Sequence, residues 1–137
     1  MNLELSILIL IGFNVCNAFI DAYKITVLHR EIRHAINFSA YAILVWILIH
    51  LLEYNAARSI SFCLFSFFIR QITFDIPLNW RRGLSTFYVS TANPPKAIWD
   101  RIEIWIFGKD GGRKQVEWYL AGSALTITIL IFSQYGS

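Results

Sequence analysis

The chain has 137 residues, 56 % of them hydrophobic and 15 % charged, with a formal net charge of +3. That balance is too apolar for a small water-soluble domain and fits a single-domain polytopic membrane protein. The two cysteines, Cys16 and Cys63, lie in apolar runs at a spacing that suits neither zinc nor a redox pair. They are expected as small reduced core residues, joined in a disulfide only if their two helices pack closely.

The N-terminus, Met1-Asn2-Leu3-Glu4, lacks the basic start of a secretory signal, and no small-x-small cleavage site follows it. Residues 3–20 are therefore expected as a retained first span, long enough for a ~30 Å hydrocarbon core at about 1.5 Å per residue. Asn14, Asn17, Asp21 and Lys24 follow at steps of three, four and three, which puts them on one helical face. Such a stripe suits helix packing through amides, or a polar pocket. The following stretch has no Gly or Pro, so the first helix is free to continue beyond the membrane. Arg30, His34, Asn37 and Tyr41 share a face leading into a second span at residues 36–52. His50 and Glu53 close that span at helical spacing and are expected to hydrogen-bond.

The short link Tyr54-Asn55-Ala56-Ala57-Arg58 makes the second and third spans antiparallel neighbours. The third span, residues 59–74, carries Ser59, Cys63, Ser66, Arg70 and Thr73 at steps of four, three, four and three. A helix in hydrocarbon hides such a stripe against other helices, because lipid offers its polar groups no partner. Its other faces, with Phe62, Leu64, Phe65, Phe67, Phe68, Ile69 and Ile72, suit lipid or apolar neighbours. The helix is expected to stop near Pro77.

Residues 80–114 form a long segment expected at the membrane surface. Residues 84–91 are rich in β-branched and aromatic types and suit an extended run. Asn93-Pro94-Pro95 is a helix start, and Gly108 a helix stop. Between them Ile98, Trp99, Ile102, Trp105 and Ile106 fall on one side and Asp100, Arg101 and Glu103 on the other. This is the pattern of an amphipathic helix in the headgroup plane. The run Arg101-Ile102-Glu103-Ile104-Trp105-Ile106 also alternates with period two, so a strand fits it as well. Gly108-Lys109-Asp110-Gly111-Gly112-Arg113-Lys114 lacks the Ser or Thr ending of a phosphate loop, which excludes that nucleotide motif. The fourth span, residues 116–132, opens with Trp118 and Tyr119, and its Ala121, Gly122, Ser123 and Ala124 permit close helix contact.

Four spans place both termini on one side. Eleven of the twelve Lys and Arg residues then lie in or beside the first and third connections, and only Arg58 lies opposite. The positive-inside rule makes the basic loops cytoplasmic and both termini external. Asp21, His34, Asn37, Arg70 and Asp75 are thereby brought to one level as a polar intramembrane cluster, in which Asp21 or Asp75 pairs with Arg70. Arg81, Arg82, Lys96, Arg101, Lys109, Arg113 and Lys114 are candidate headgroup contacts, and Trp80, Trp99, Trp105 and Trp118 candidate interfacial anchors. His29 and His34 are spaced for different helical faces, and no G-x-S-x-G occurs, so no catalytic or metal residue is assigned.

The runs F-D-I-P-L-N-W-R-R-G, F-Y-V-S-T and W-D-R-I-E, which follow the arginine-bearing span, resemble small uncharacterised bacterial and prophage membrane proteins. The resemblance covers residues 70–101 and carries no activity. It implies only that Arg70, Asp75, Asn79, Arg82, Tyr88 and Asp100 act together.

The expected fold class is an all-α integral membrane protein: four transmembrane helices with a cytoplasmic interfacial amphipathic helix between spans three and four. The expected function is that of a non-enzymatic structural or accessory component of a larger membrane assembly, in a bacterial inner membrane or a viral membrane. Its partners would be membrane lipids and other membrane-protein subunits in a homo- or hetero-oligomer, with no cofactor and no nucleic acid. A holin-like oligomeric pore-former, and a lipid-headgroup enzyme using Asp21, His34 and Arg70, are the alternatives.

Overall fold

The computed structural model describes residues 2–29, 34–86, 88, 98–108 and 112–135, without the side chains of residues 34, 35, 98–100, 103, 134 and 135. The regular structure among them is helical throughout: α1 (Leu3–Thr26), α2 (His34–Leu51), α3 (Ala56–Arg81), α4 (Ile98–Phe107) and α5 (Gly112–Tyr135). Three stretches, Leu3–Thr26, Ala56–Arg81 and Gly112–Ser133, are long and apolar enough to cross a membrane. The apolar stretch Ile36–Leu51 of α2 is shorter.

Local chemistry sets the ends. Asn2 caps α1, its side chain accepting from the Leu5 N–H at 3.0 Å, and Asn55 caps α3 by accepting from the Arg58 N–H at 3.0 Å. Gly83 and Gly108 adopt left-handed φ values of 70° and 79° just past α3 and α4, where a side chain would be strained. Pro77 does not stop α3, which continues to Arg81. Proline removes one backbone bond, but Leu78 and Asn79 beyond it are buried, and their burial holds the last turn in place. The strand alternative for residues 101–106 gives way to α4. Its helical form lets Phe107 meet Trp118 and Tyr119 with ring centroids 6.1 and 6.5 Å apart. Residues 84–86 and Tyr88 turn back onto the end of α3: the Asn79 amide donates to the Tyr88 carbonyl at 3.2 Å. The rest of the run expected to be extended, and the Asn93-Pro94-Pro95 start, lie outside the described residues.

The contacts fix the helix directions. Leu3 and Leu10 of α1 share a core with Phe62 and Phe65 of α3, and further along Ala18 and Ala22 pack with Phe74 and Leu78. Residue numbers rise together, so α1 and α3 run parallel. Tyr41 reaches Ser66 while Tyr54 stacks on Phe62, so α2 runs opposite to α3. Trp118 stacks on Phe68 while Arg58 bonds to Ser133, so α5 also runs opposite. Helix α3 packs along both α1 and α5, and α2 closes the group through Tyr41, Val45 and Leu48.

The distribution of side chains is inverted relative to a water-soluble protein. The interior holds Asn14, Asp21, Ser66, Arg70, Gln71 and Asn79, whereas Leu8, Ile43, Trp46, Ile60, Leu125 and Phe132 are exposed. That exterior is compatible with a membrane and unfavourable in water. The cysteines are reduced as expected but are not core residues. Both are free and exposed on this apolar exterior, because the rings of Phe62 and Phe65 fill the core beside Cys63.

Helix α5 lies so close to α3 that a Cβ on Gly122 would sit 2.8 Å from the Phe68 ring. Gly122→Leu is therefore expected to separate the two helices at a cost of about 1–3 kcal/mol. A lowered thermal midpoint in detergent checks this; an unchanged midpoint would show that the close approach is not needed.

Candidate functional site

The polar stripes of α1, α2 and α3 meet at one end of the bundle. Asp21 is 1 % exposed. One of its carboxylate oxygens accepts from the Lys24 ammonium at 3.1 Å, and the other accepts from the Asn37 amide of α2. About two turns earlier on α1, the Asn14 amide donates to the Thr73 hydroxyl of α3 at 3.0 Å. The Thr73 hydroxyl in turn donates to the Ile69 carbonyl at 2.7 Å. Tyr41 of α2 donates to the Ser66 carbonyl of α3 at 2.7 Å. The three helices are thus tied by side chains that lipid would leave unsatisfied.

Arg70 is 9 % exposed and lies among aromatic rings. Its guanidinium carbon is 4.6 Å from the Phe74 centroid, 5.4 Å from Tyr41 and 5.8 Å from Phe38. Each ring face attracts the cation by roughly 0.5–2 kcal/mol. Insertion scales set the cost of an arginine in a membrane at about 2.5–3.5 kcal/mol, so three rings offset most of it. The Asp21–Arg70 pair expected from the sequence does not form, because Lys24 and Asn37 occupy that carboxylate. Asp21 and Asp75 attract Arg70 from further away. The guanidinium Nε is buried with no hydrogen-bond acceptor.

The remaining candidates fall around this seam. Helix α2 begins at His34, whose side chain lies outside the described residues. Arg81, Arg101, Arg113 and Lys114 are exposed at the same end and Arg82 is half-buried, while Lys96 and Lys109 lie outside the described residues. Trp80, Trp105 and Trp118 are 70 %, 86 % and 55 % exposed, and the Trp99 side chain lies outside the described residues. Among the described residues, no group of three His, Cys, Asp or Glu side chains gathers to hold a metal.

At the opposite end, Arg58 of α3 donates to the Ser133 carbonyl in the last turns of α5, where a cation suits the helix dipole. The expected side-chain bond between His50 and Glu53 is missing among the described residues. The His50 ring instead meets Trp46 edge-on at 4.5 Å, and Glu53 takes a left-handed φ of 54° as α2 ends.

Sequence reasoning missed Phe38 and Phe74 as partners of Arg70. The signal was present: Phe74 is four residues after Arg70 on α3, and Phe38 is three before Tyr41 on α2. Nothing in the sequence singles out Ser133 as the partner of Arg58.

No family model, curated protein or solved structure matches this chain.

Tyr41→Phe keeps the ring beside Arg70 and removes only the bond to Ser66. It is expected to lower stability by about 0.5–1.5 kcal/mol. Tyr41→Leu also removes the ring face and is expected to cost more. Chemical denaturation in mixed micelles compares the two; equal losses would mean that the ring does nothing for the cation.

Proposed function

We propose that this chain is a four-span integral membrane protein that acts, without catalysis, as a structural or accessory component of a larger membrane assembly. The carrying observation is that α1 and α3 run parallel. If both cross the bilayer, the chain joining them has to return across it. The 18-residue α2 is the described helix on that return path. At about 1.5 Å per residue it reaches ~27 Å, close to a ~30 Å hydrocarbon core. Its outward Ile43, Trp46 and Ile47 suit acyl chains.

In this reading α4 lies at the surface. It touches α5 through Phe107 and exposes Ile102, Trp105 and Ile106. Arg81, Arg101, Arg113 and Lys114 then meet headgroups, with Trp118 at the boundary. The basic end faces the cytoplasm of a bacterium, or the corresponding side of a viral membrane, and the termini face outward. Ser39 and Ala40 on α2, with Ala121, Ala124 and Thr128 on α5, are small and exposed, which lets helices of other subunits approach closely. Bonds that tie helices together, rather than groups left open for a reaction, dominate the buried polar chemistry, and this supports an architectural role.

Single cysteines test the reading, in a chain with Cys16→Ser and Cys63→Ser. In intact cells an impermeant maleimide is expected to label Ala56→Cys and to spare Ser85→Cys until the membrane is opened. Equal labelling of the two sites would remove the four-span topology. Overexpression is expected to leave dye uptake unchanged; rapid dye entry would favour the holin-like pore.

A further inference from the structure

We propose that Arg70 anchors a phosphate site that opens sideways between α2 and α3, filled by the headgroup of an anionic phospholipid. The lipid source rests on the four-span reading; the phosphate chemistry rests on the side chain itself. A guanidinium has two kinds of surface. Its faces attract aromatic rings, and its edge is a planar row of N–H donors. Here the guanidinium carbon lies over the rings of Phe74, Tyr41 and Phe38, while the buried Nε at the edge has no acceptor. Ring faces cover the charge but do not fill in-plane donors. Two oxygens of a phosphate match that edge in a forked geometry.

The surroundings give the edge a direction. Tyr41 and Phe74 are 4 % and 3 % exposed and form fixed inner walls. Phe38 is 54 % exposed and forms the outer wall. The nearby carboxylate of Asp21, which would repel a phosphate, is bonded to the Lys24 ammonium and the Asn37 amide. Asp75 attracts Arg70 from a distance and is the other acidic group an arriving phosphate would meet. The boundary residue Trp118 meets Phe68 edge-on, two positions before Arg70 on α3. Arg70 therefore lies just inside the headgroup level, within reach of a lipid phosphate that enters past Phe38.

The test uses the full chain in phosphatidylcholine nanodiscs titrated with phosphatidylglycerol, with bound lipid counted by native mass spectrometry. The wild type is expected to retain phosphatidylglycerol in preference to phosphatidylcholine. Arg70→Gln is expected to weaken retention roughly tenfold, and Arg70→Lys less, since an ammonium keeps the charge but loses the fork. Undiminished retention by Arg70→Gln, or no preference in the wild type, overturns the proposal. In case Arg70→Gln fails to fold, a benzoylphenylalanine in place of Phe38 keeps Arg70 intact. It is expected to crosslink phosphatidylglycerol over phosphatidylcholine, and equal crosslinking overturns the site. Displacement of the lipid by millimolar orthophosphate would overturn the lipid source and make the ligand a free phosphate. Maleimide labelling at positions 56 and 85 on the same chain separates the two ideas: a correct pattern with no Arg70 effect sinks this inference alone.

Discussion

Hydrocarbon offers no hydrogen bonds, and that constraint orders this molecule. Three helices have the length and apolarity to enter such a medium, yet α1 and α3 among them, like the shorter α2, carry polar side chains along part of one face. Those side chains turn inward and find one another: Asn14 with Thr73, Asp21 with Lys24 and Asn37, Tyr41 with the Ser66 carbonyl. The apolar residues are left outside, in the reverse of the arrangement water selects. Register follows from the same pairs, because sliding α1 by a turn along α3 would part Asn14 from Thr73 and expose both to acyl chains.

Helix α3 is the element the others share. One side of it meets α1 through Phe62, Phe65, Phe74 and Leu78, and the other meets α5 across the gap that Gly122 leaves for Phe68. Arg70 sits where these contacts and α2 converge. Rings hold it rather than a carboxylate, and the difference matters. A buried ion pair would neutralise the cation and close the position, whereas rings lower its cost and leave its donors available.

Much of this architecture was legible in the sequence. The helical class, the inward turn of Asn14, Asp21, Ser66 and Arg70, and the Gly108 stop all followed from spacing and residue type. The end of α3 was drawn too short. Apolarity marks where a helix suits lipid, while hydrogen bonding carries α1 on to Thr26 and α3 through Pro77 to Arg81. Cys63 was assigned inward because it falls on the polar stripe, but side-chain volume gave the core to Phe62 and Phe65. The Arg70 partner was misjudged for a related reason. Opposite charge is the obvious complement of a cation, and whether Asp21 is free to serve depends on Lys24 and Asn37, which only three-dimensional proximity reveals.

The separation in sequence between bonded partners also sets a timetable for biogenesis. Asp21 and Asn37 are 16 residues apart, so the first hairpin satisfies that carboxylate almost as soon as α2 emerges. Asn14 and Thr73 are 59 residues apart. At ribosomal speeds of about 5–20 residues per second, the Asn14 amide waits roughly 3–12 s for its partner. During that interval α1 carries an amide without its partner on α3. A chain cut before α3 would leave that amide without Thr73.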